Sequence, residues 1–371
     1  MPLDVNSKLS FAKDQGDFHK VLKKRVRQYF KTNKISRYAD KKTAAKTVLM
    51  FLVYFIPLTL LYVGYFQSFT ALILLYIVMG LGKAGIGLNV MHDANHGTLF
   101  KNKTLNKLCA LSMNLLGGSD LAWRYQHNYL HHTYTNIAGS DHDIETTPLL
   151  RNSPKQTWKS FHRFQYIYSW ILYGLATISR ISAREFILLS SAAETGYIKT
   201  KSELRKEYAK LLFFKISYVL VMLVFPYVLL DFSIGQILLA FFLMHFITSV
   251  ILISIFVCAH VMPSSTFEVP DENGKMKDNW AVHQMKTTTN FSQDNKLFTF
   301  LIGGLNHQVE HHIFPNVCHA HYPQIAPIVK KTAEEFNVPY HSQQSFFGAI
   351  GQHARVLKEL SKRPKEETLV A

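Results

Sequence analysis

Thr47–Gly82 reads TVLMFLVYFIPLTLLYVGYFQSFTALILLYIVMGLG and carries no charged side chain. As helix, at 1.5 Å per residue, the stretch is about 54 Å long, too much for one crossing of a hydrocarbon core about 30 Å thick. It reads as two spans, 47–66 and 69–90, turning at Gln67-Ser68. A second apolar block reads the same way, as spans 211–230 and 234–258 turning at Asp231-Phe-Ser233. The expected fold class is therefore all-α integral membrane, with four transmembrane helices in two hairpins. A hairpin returns to its starting side, so residues 1–46, 91–210 and the carboxyl tail should share one side of the bilayer.

Charge gives the orientation. Residues 1–46 carry thirteen Lys or Arg against four Asp, and the two short turns carry no Lys or Arg. The positive-inside rule predicts a multi-pass protein with both termini in the cytoplasm. A formal charge of +16 on 371 residues would ordinarily suggest nucleic acid. Here the basic residues flank spans, so anionic membrane lipids are the expected contact and no nucleic-acid partner is expected. Cys109, Cys258 and Cys318 are too few and too scattered for a disulfide framework or a thiolate metal site. No signal peptide is visible, since the first apolar run continues as a full span. Leu105–Trp123 and Phe164–Ile178 are short, flanked by basic residues and aromatic, which predicts interfacial helices. Tyr322–Phe336 reads as an amphipathic helix and Lys362–Thr368 as a solvated end.

Eight of the eighteen histidines fall in three clusters: His92-Asp-Ala-Asn-His96, His127-Asn-Tyr-Leu-His131-His132 and His307-Gln-Val-Glu-His311-His312. Residues four apart share a helix face, and adjacent ones diverge by about 100°, so a His-His pair can serve two neighbouring metals. All the clusters lie on the predicted cytoplasmic side, which predicts a dimetal site within a cytosolic helical cap. Imidazole suits several metals. The first cluster ends the second span, where a lipid chain reaches it; attack on an unactivated C–H bond needs redox chemistry that zinc lacks, which favours iron. Ligating histidines need partners for their other nitrogen, and Asp93, Asp141, Asp143 and Glu310 are the nearby candidates. His19, His162, His245, His341 and His353, each isolated, read as ordinary structural residues. Lys83, nine residues before His92 and inside a span, is a functional candidate by its depth alone: it either faces the end of a substrate tunnel or pairs within the bundle.

The strings His92-Asp-Ala-Asn-His96-Gly, Trp123-Arg-Tyr-Gln-His-Asn-Tyr-Leu-His-His-Thr-Tyr-Thr-Asn136 and Gly303-Gly-Leu-Asn-His-Gln-Val-Glu-His-His-Ile-Phe-Pro315 closely resemble the three histidine boxes of the membrane-bound fatty-acid desaturases, over about residues 88–330. The third looks most like the front-end and bacterial linoleoyl-CoA branch, in which a Gln stands in the box. The resemblance implies a centre of two iron ions that uses oxygen to leave a cis double bond in a fatty acyl chain. The chain would arrive on coenzyme A, a carrier protein or a lipid. It implies His92, His96, His127, His131, His132, His311 and His312 as ligands, with His260 at the end of the last span. At the third box, register with Gln-x-x-His-His favours Gln308, while ligand preference and the spacing of the second box favour His307. His283, in Trp280-Ala-Val-His-Gln284, is a weaker candidate. Many front-end members carry a fused cytochrome domain with a His-Pro-Gly-Gly signature. That string does not occur here, so electrons are expected from a separate ferredoxin or small cytochrome with its reductase. The organisation expected is a basic segment 1–46, a membrane domain 47–330 and a cytosolic tail 331–371. A lipid hydroxylase on the same scaffold is the near alternative, and a membrane metal transporter the distant one.

Overall fold

The computed structural model describes residues 9–14, 16–145 and 147–364. Among the described residues, four helices are long and apolar enough to cross a membrane: Lys41–Val63, Phe69–Asn95, Lys201–Leu229 and Ile234–His260. They form the two expected hairpins. Each starts on a side chain that takes up an otherwise unpaired backbone N–H: Asp40 accepts from Thr43, Ser68 from Ala71, Thr200 from Glu203, and Ser233 from Gln236 in a reciprocal capping box.

The helices overrun the predicted spans on the basic side, beginning at Lys41 rather than 47 and at Lys201 rather than 211, and ending at Asn95 and His260. The absence of charge marks only the hydrocarbon, whereas backbone hydrogen bonding continues until a cap stops it. The consequence is that His92 and His260 stand in the last turns of rigid helices.

The second span packs against both the first and the fourth. A Cβ on Gly82 would stand 2.7 Å from the backbone nitrogen of Tyr54, and one on Gly80 2.8 Å from the carbonyl of Met244. These two glycines therefore allow backbone-to-backbone contact, the usual way helices pack where lipid supplies no hydrophobic drive. Thr248 Oγ1 adds a hydrogen bond to the Gly80 carbonyl at 2.9 Å. Leu72, Tyr76, Met79 and Met244 are fully buried between the spans, while Val48, Leu52, Leu74, Phe213 and Ile216 face outward.

Neither predicted interfacial segment is among the four spanning helices. Leu105–Trp123 is not the single helix expected: Lys103–Ala110 and Ser112–Leu115 are followed by a turn at Gly117-Gly118, and Asp120 then starts the helix that carries the second cluster. The turn breaks it because Gly117 takes a left-handed φ of 87°. Phe164–Ile178 forms Gln165–Gly174 and the short turn Ala176–Ser179, packed on the fourth span, where Thr177 N donates to Ser249 Oγ at 3.0 Å.

The cap gathers Phe18–Thr32, Trp280–Thr287, Gln308–Ile313 and Tyr322–Glu335 around Phe18, Leu22, Val26, Ile325 and Val329. One short parallel pair, Thr289–Phe291 with His341–Gln343, ties it together. Tyr322–Glu335 runs through the boundary expected at 330, so the tail is not a separate unit. Its last helix, Phe346–Leu360, folds back so that His353 bonds the Val261 carbonyl at 3.0 Å and Tyr173 OH at 2.9 Å. Of the expected solvated end, Lys362 and Arg363 are exposed; residues 365–368 lie outside the described residues.

Candidate metal centre

Three separate helices deliver the histidine clusters to one place. The second span ends with a π-type turn, Gly87–Met91, immediately before His92; the second cluster lies on another, Arg124–His131. Such wide turns recur at functional sites. His311 and His312 come from Gln308–Ile313, and His260 from the final turn of the fourth span.

The side chains sort into two connected groups. His92, His96, His127 and His311 bring ring nitrogens within 4.8 Å of one another, and so do His131, His260 and His312. His132 bridges them, forming a third such group with His311 and His312, with its Nε2 3.2 Å from Nε2 of His127. A helix pair at i and i+1 divided between two neighbouring sites is the geometry that adjacent histidines permit.

Six of the outer nitrogens are occupied. Nδ1 of His131 donates to Asp141 at 2.9 Å, that of His127 to Asp143 at 2.9 Å, and that of His92 to Asp93 at 3.3 Å. Nδ1 of His312 donates to Gln284 Oε1 at 2.8 Å, His260 Nδ1 to the Thr287 carbonyl at 3.3 Å, and His311 Nδ1 pairs with Tyr322 OH at 3.1 Å. Each bond fixes a ring and leaves Nε2 as the free lone pair.

The inner nitrogens are not occupied by protein. Nε2 of His96, His131, His260, His311 and His312 is buried and has no hydrogen-bond partner among the described residues. An unsatisfied buried polar atom costs about 1–3 kcal/mol, and five converging ones are hard to account for as packing. A cation satisfies them together. Burial first, then the neighbouring imidazoles, pushes His96, His127, His132, His311 and His312 well below the ordinary histidine range. These rings are neutral at pH 7, the form that ligates. His131 is the exception: burial lowers it, but the Asp141 carboxylate outweighs that and raises it. The donor set therefore fits two imidazole-bound metals.

Other expected residues lie elsewhere. His307 belongs to no group; its Nδ1 is 3.2 Å from Gln293 Nε2 and 3.7 Å from Glu310. Glu310 was expected to orient a ligand. Instead it accepts from Asn290 Nδ2 and Tyr340 OH, both at 2.9 Å, because one residue before His311 it points about 100° away. Gln308 faces the cavity beside His311, with its amide nitrogen donated to the Leu305 carbonyl at 2.7 Å. His283 lies outside the groups and bonds the Thr135 carbonyl through Nε2 at 2.8 Å, holding the end of the second-cluster helix. Cluster spacing marked neither Tyr322 nor His319, and Gln284 stood out only as the end of the Trp280–Gln284 string. His319 Nδ1 lies 2.8 Å from Asp93, and Lys46 Nζ 2.7 Å from His319 Nε2, so a buried chain runs back from His92.

The group opens on a cavity of about 430 Å³. His92, His127, His260 and His311 form one part of its wall, with Leu88, Leu252 and Phe256 among the apolar lining. Lys83 lines it as well, about two and a half turns before His92 in the second span. Its Nζ donates to the Leu116 carbonyl and Tyr218 OH, each at 2.9 Å, and lies 3.4 Å from His245 Nε2. Lys83 therefore pairs within the bundle and also lines the cavity.

Comparison with known proteins gives one consistent result. The sequence model of a family described as fatty acid desaturase matches residues 67–344. The chain is 33% identical over 364 residues to a protein of Synechocystis sp. named sn-1 linoleoyl-lipid 6-desaturase, covering 96% of this chain and 98% of that one. It is 33% identical to a protein of the same name from Arthrospira platensis, over 98% of each. It is also 34% identical to an acyl-lipid (8-3)-desaturase of Physcomitrium patens, over 93% of this chain and 72% of that one.

Proposed function

This chain belongs to the fatty acid desaturase family and is a membrane fatty acyl desaturase, and from that premise we propose that it places a cis double bond on the carboxyl side of an acyl chain carried in a lipid, using two irons held by the histidine clusters. The proposed ligands are His92, His96, His127, His131, His132, His260, His311 and His312, with Gln308 at the remaining position. The observation that carries the reading is the set of unpartnered buried Nε2 atoms, with two of their residues, His260 and His311, lining an apolar cavity. Preference for a lipid-borne chain rests on the names of the relatives.

When bound, the irons supply the redox chemistry with oxygen that removes two hydrogens from adjacent methylenes, which zinc does not. The chain's own residues hold and shield. Asp93, Asp141, Asp143, Gln284 and Tyr322 keep the imidazoles in one orientation. Leu88, Leu252 and Phe256 exclude water and grip the acyl chain. Lys83, Tyr218 and His245 close the far end with groups whose hydrogen bonds are met by protein, so an apolar methyl end stops there. Electrons are supplied by a separate small redox protein, and the basic amino-terminal segment supports a cytoplasmic cluster side.

The test is expression in a host without polyunsaturated lipids, fed defined fatty acids, with double-bond positions read by mass spectrometry. A new cis bond nearer the carboxyl end than any existing one is expected. A hydroxylated lipid with no new double bond overturns the desaturase reading. The same assay reads the cavity end: Lys83→Leu removes the polar stop, and the product profile shifts toward longer chains. An unchanged chain-length profile removes Lys83 from the tunnel.

A further inference from the structure

We propose that the amino-terminal helix Phe18–Thr32 is the docking surface for an acidic one-electron carrier protein and that Trp280 is the inlet through which its electrons reach the metal centre. The inference rests on the desaturase reading above and goes beyond it in naming the surface. Removing two hydrogens from an acyl chain while oxygen goes to water requires an outside reductant: –CH2–CH2– plus O2, two electrons and two protons gives –CH=CH– and two H2O. Two encounters with a one-electron carrier, each oxidised as the centre is reduced, supply those electrons.

Trp280 links this surface to the centre. Its indole Nε1 donates to the His132 carbonyl at 3.1 Å, and His132 bridges the two histidine groups. The ring is partly exposed and packs on His19 of the helix at 5.3 Å between centroids. From His19 the helix presents Lys23, Arg27 and Lys31 at one-turn intervals, with Lys24 beside them; all four are exposed, and the helix contains no acidic residue. Of the carboxylates beside it, Asp17 is paired with Lys20, Glu335 with Arg25 and Asp278 with Lys286, while Asp14 accepts from the neutral donors His19 N and Asn279 Nδ2. The face therefore stays positive around a route to the metals, and opposite charge steers a carrier to it. The helix packs on the cap helices Tyr322–Glu335 and Trp280–Thr287, which favours a protein over lipid headgroups as its partner.

The probe is reduced plant-type ferredoxin, a small acidic iron–sulfur protein, titrated against the full chain in phosphatidylcholine nanodiscs. The Lys23→Glu/Lys24→Glu/Arg27→Glu/Lys31→Glu variant weakens binding about tenfold or more at low salt, and raising the salt weakens wild-type binding in the same way. Lys199→Glu/Lys201→Glu, elsewhere on the surface, does not. Trp280→Leu leaves the affinity in place and slows ferredoxin-driven product formation about tenfold or more. An unchanged dissociation constant in the fourfold variant overturns the docking surface. So does loss of binding to phosphatidylserine vesicles with ferredoxin affinity intact, which would make the face a lipid contact. Unaltered turnover in Trp280→Leu overturns the inlet. Binding is read without catalysis, so absence of product from dithionite-reduced wild-type protein counts against the desaturase reading and leaves the docking result standing.

Discussion

His131→Ala yields no desaturated product, and the purified variant retains at most one metal per chain. His131 is fully buried, with Nδ1 fixed by Asp141 and Nε2 facing His260 and His312 without a protein partner. Removing it takes a ligand from the smaller group, where two imidazoles cannot hold a metal against water. The loss is therefore of the whole reaction. Metal analysis beside lipid analysis checks it, with His341→Ala as the comparison: His341 lies in the short strand pair, outside every group, and its loss leaves product formation in place. Full metal content and product in His131→Ala would remove the second cluster from the centre.

Asp141→Asn is expected to cost about 10–100-fold in metal affinity or turnover, the usual effect of losing a carboxylate behind a ligating histidine. The substitution keeps the shape, and its amide oxygen can still accept from the Asp143 backbone nitrogen that now bonds Oδ1, while the amide NH2 takes the place of Oδ2, which now accepts from Asn136 N and His131 Nδ1. What changes is the proton on His131. An amide N–H facing Nδ1 favours the tautomer with its proton on Nε2, the nitrogen that ligates, much as the matching change in the serine-protease triad selects the wrong tautomer. Metal titration of the purified variant, with product formation at saturating metal, separates weakened binding from slowed chemistry. A variant equal to wild type in both would show that His131 is oriented by packing alone.

The membrane architecture was legible because lipid imposes rules that sequence displays directly. Charge-free length separated two hairpins, and their return put every histidine cluster on one side. Helix ends were less legible: Lys41 and Lys201 lie inside helices because Asp40 and Thr200 cap them, a local hydrogen bond that hydropathy does not register. The histidines announced themselves by spacing, and Asp93, Asp141 and Asp143 by lying beside them, whereas the other supports did not. Gln284, Tyr322 and His319 reach the cluster from turns and helices brought near only by tertiary folding. Glu310 shows the opposite error, since adjacency in sequence put it beside His311 while the helix turned it toward Asn290 and Tyr340. Lys83 was conspicuous as a charge within a span, but its partners Tyr218 and His245 lie on the other hairpin.

The proposed function requires that the three clusters with His260 hold two irons. It is tested most directly by elemental analysis and Mössbauer spectroscopy of the full chain purified after growth on 57Fe. The expected result is two irons per chain, with the signature of a coupled pair, falling to one or none in His131→Ala. A single zinc, or iron content that ignores the substitution, would contradict it.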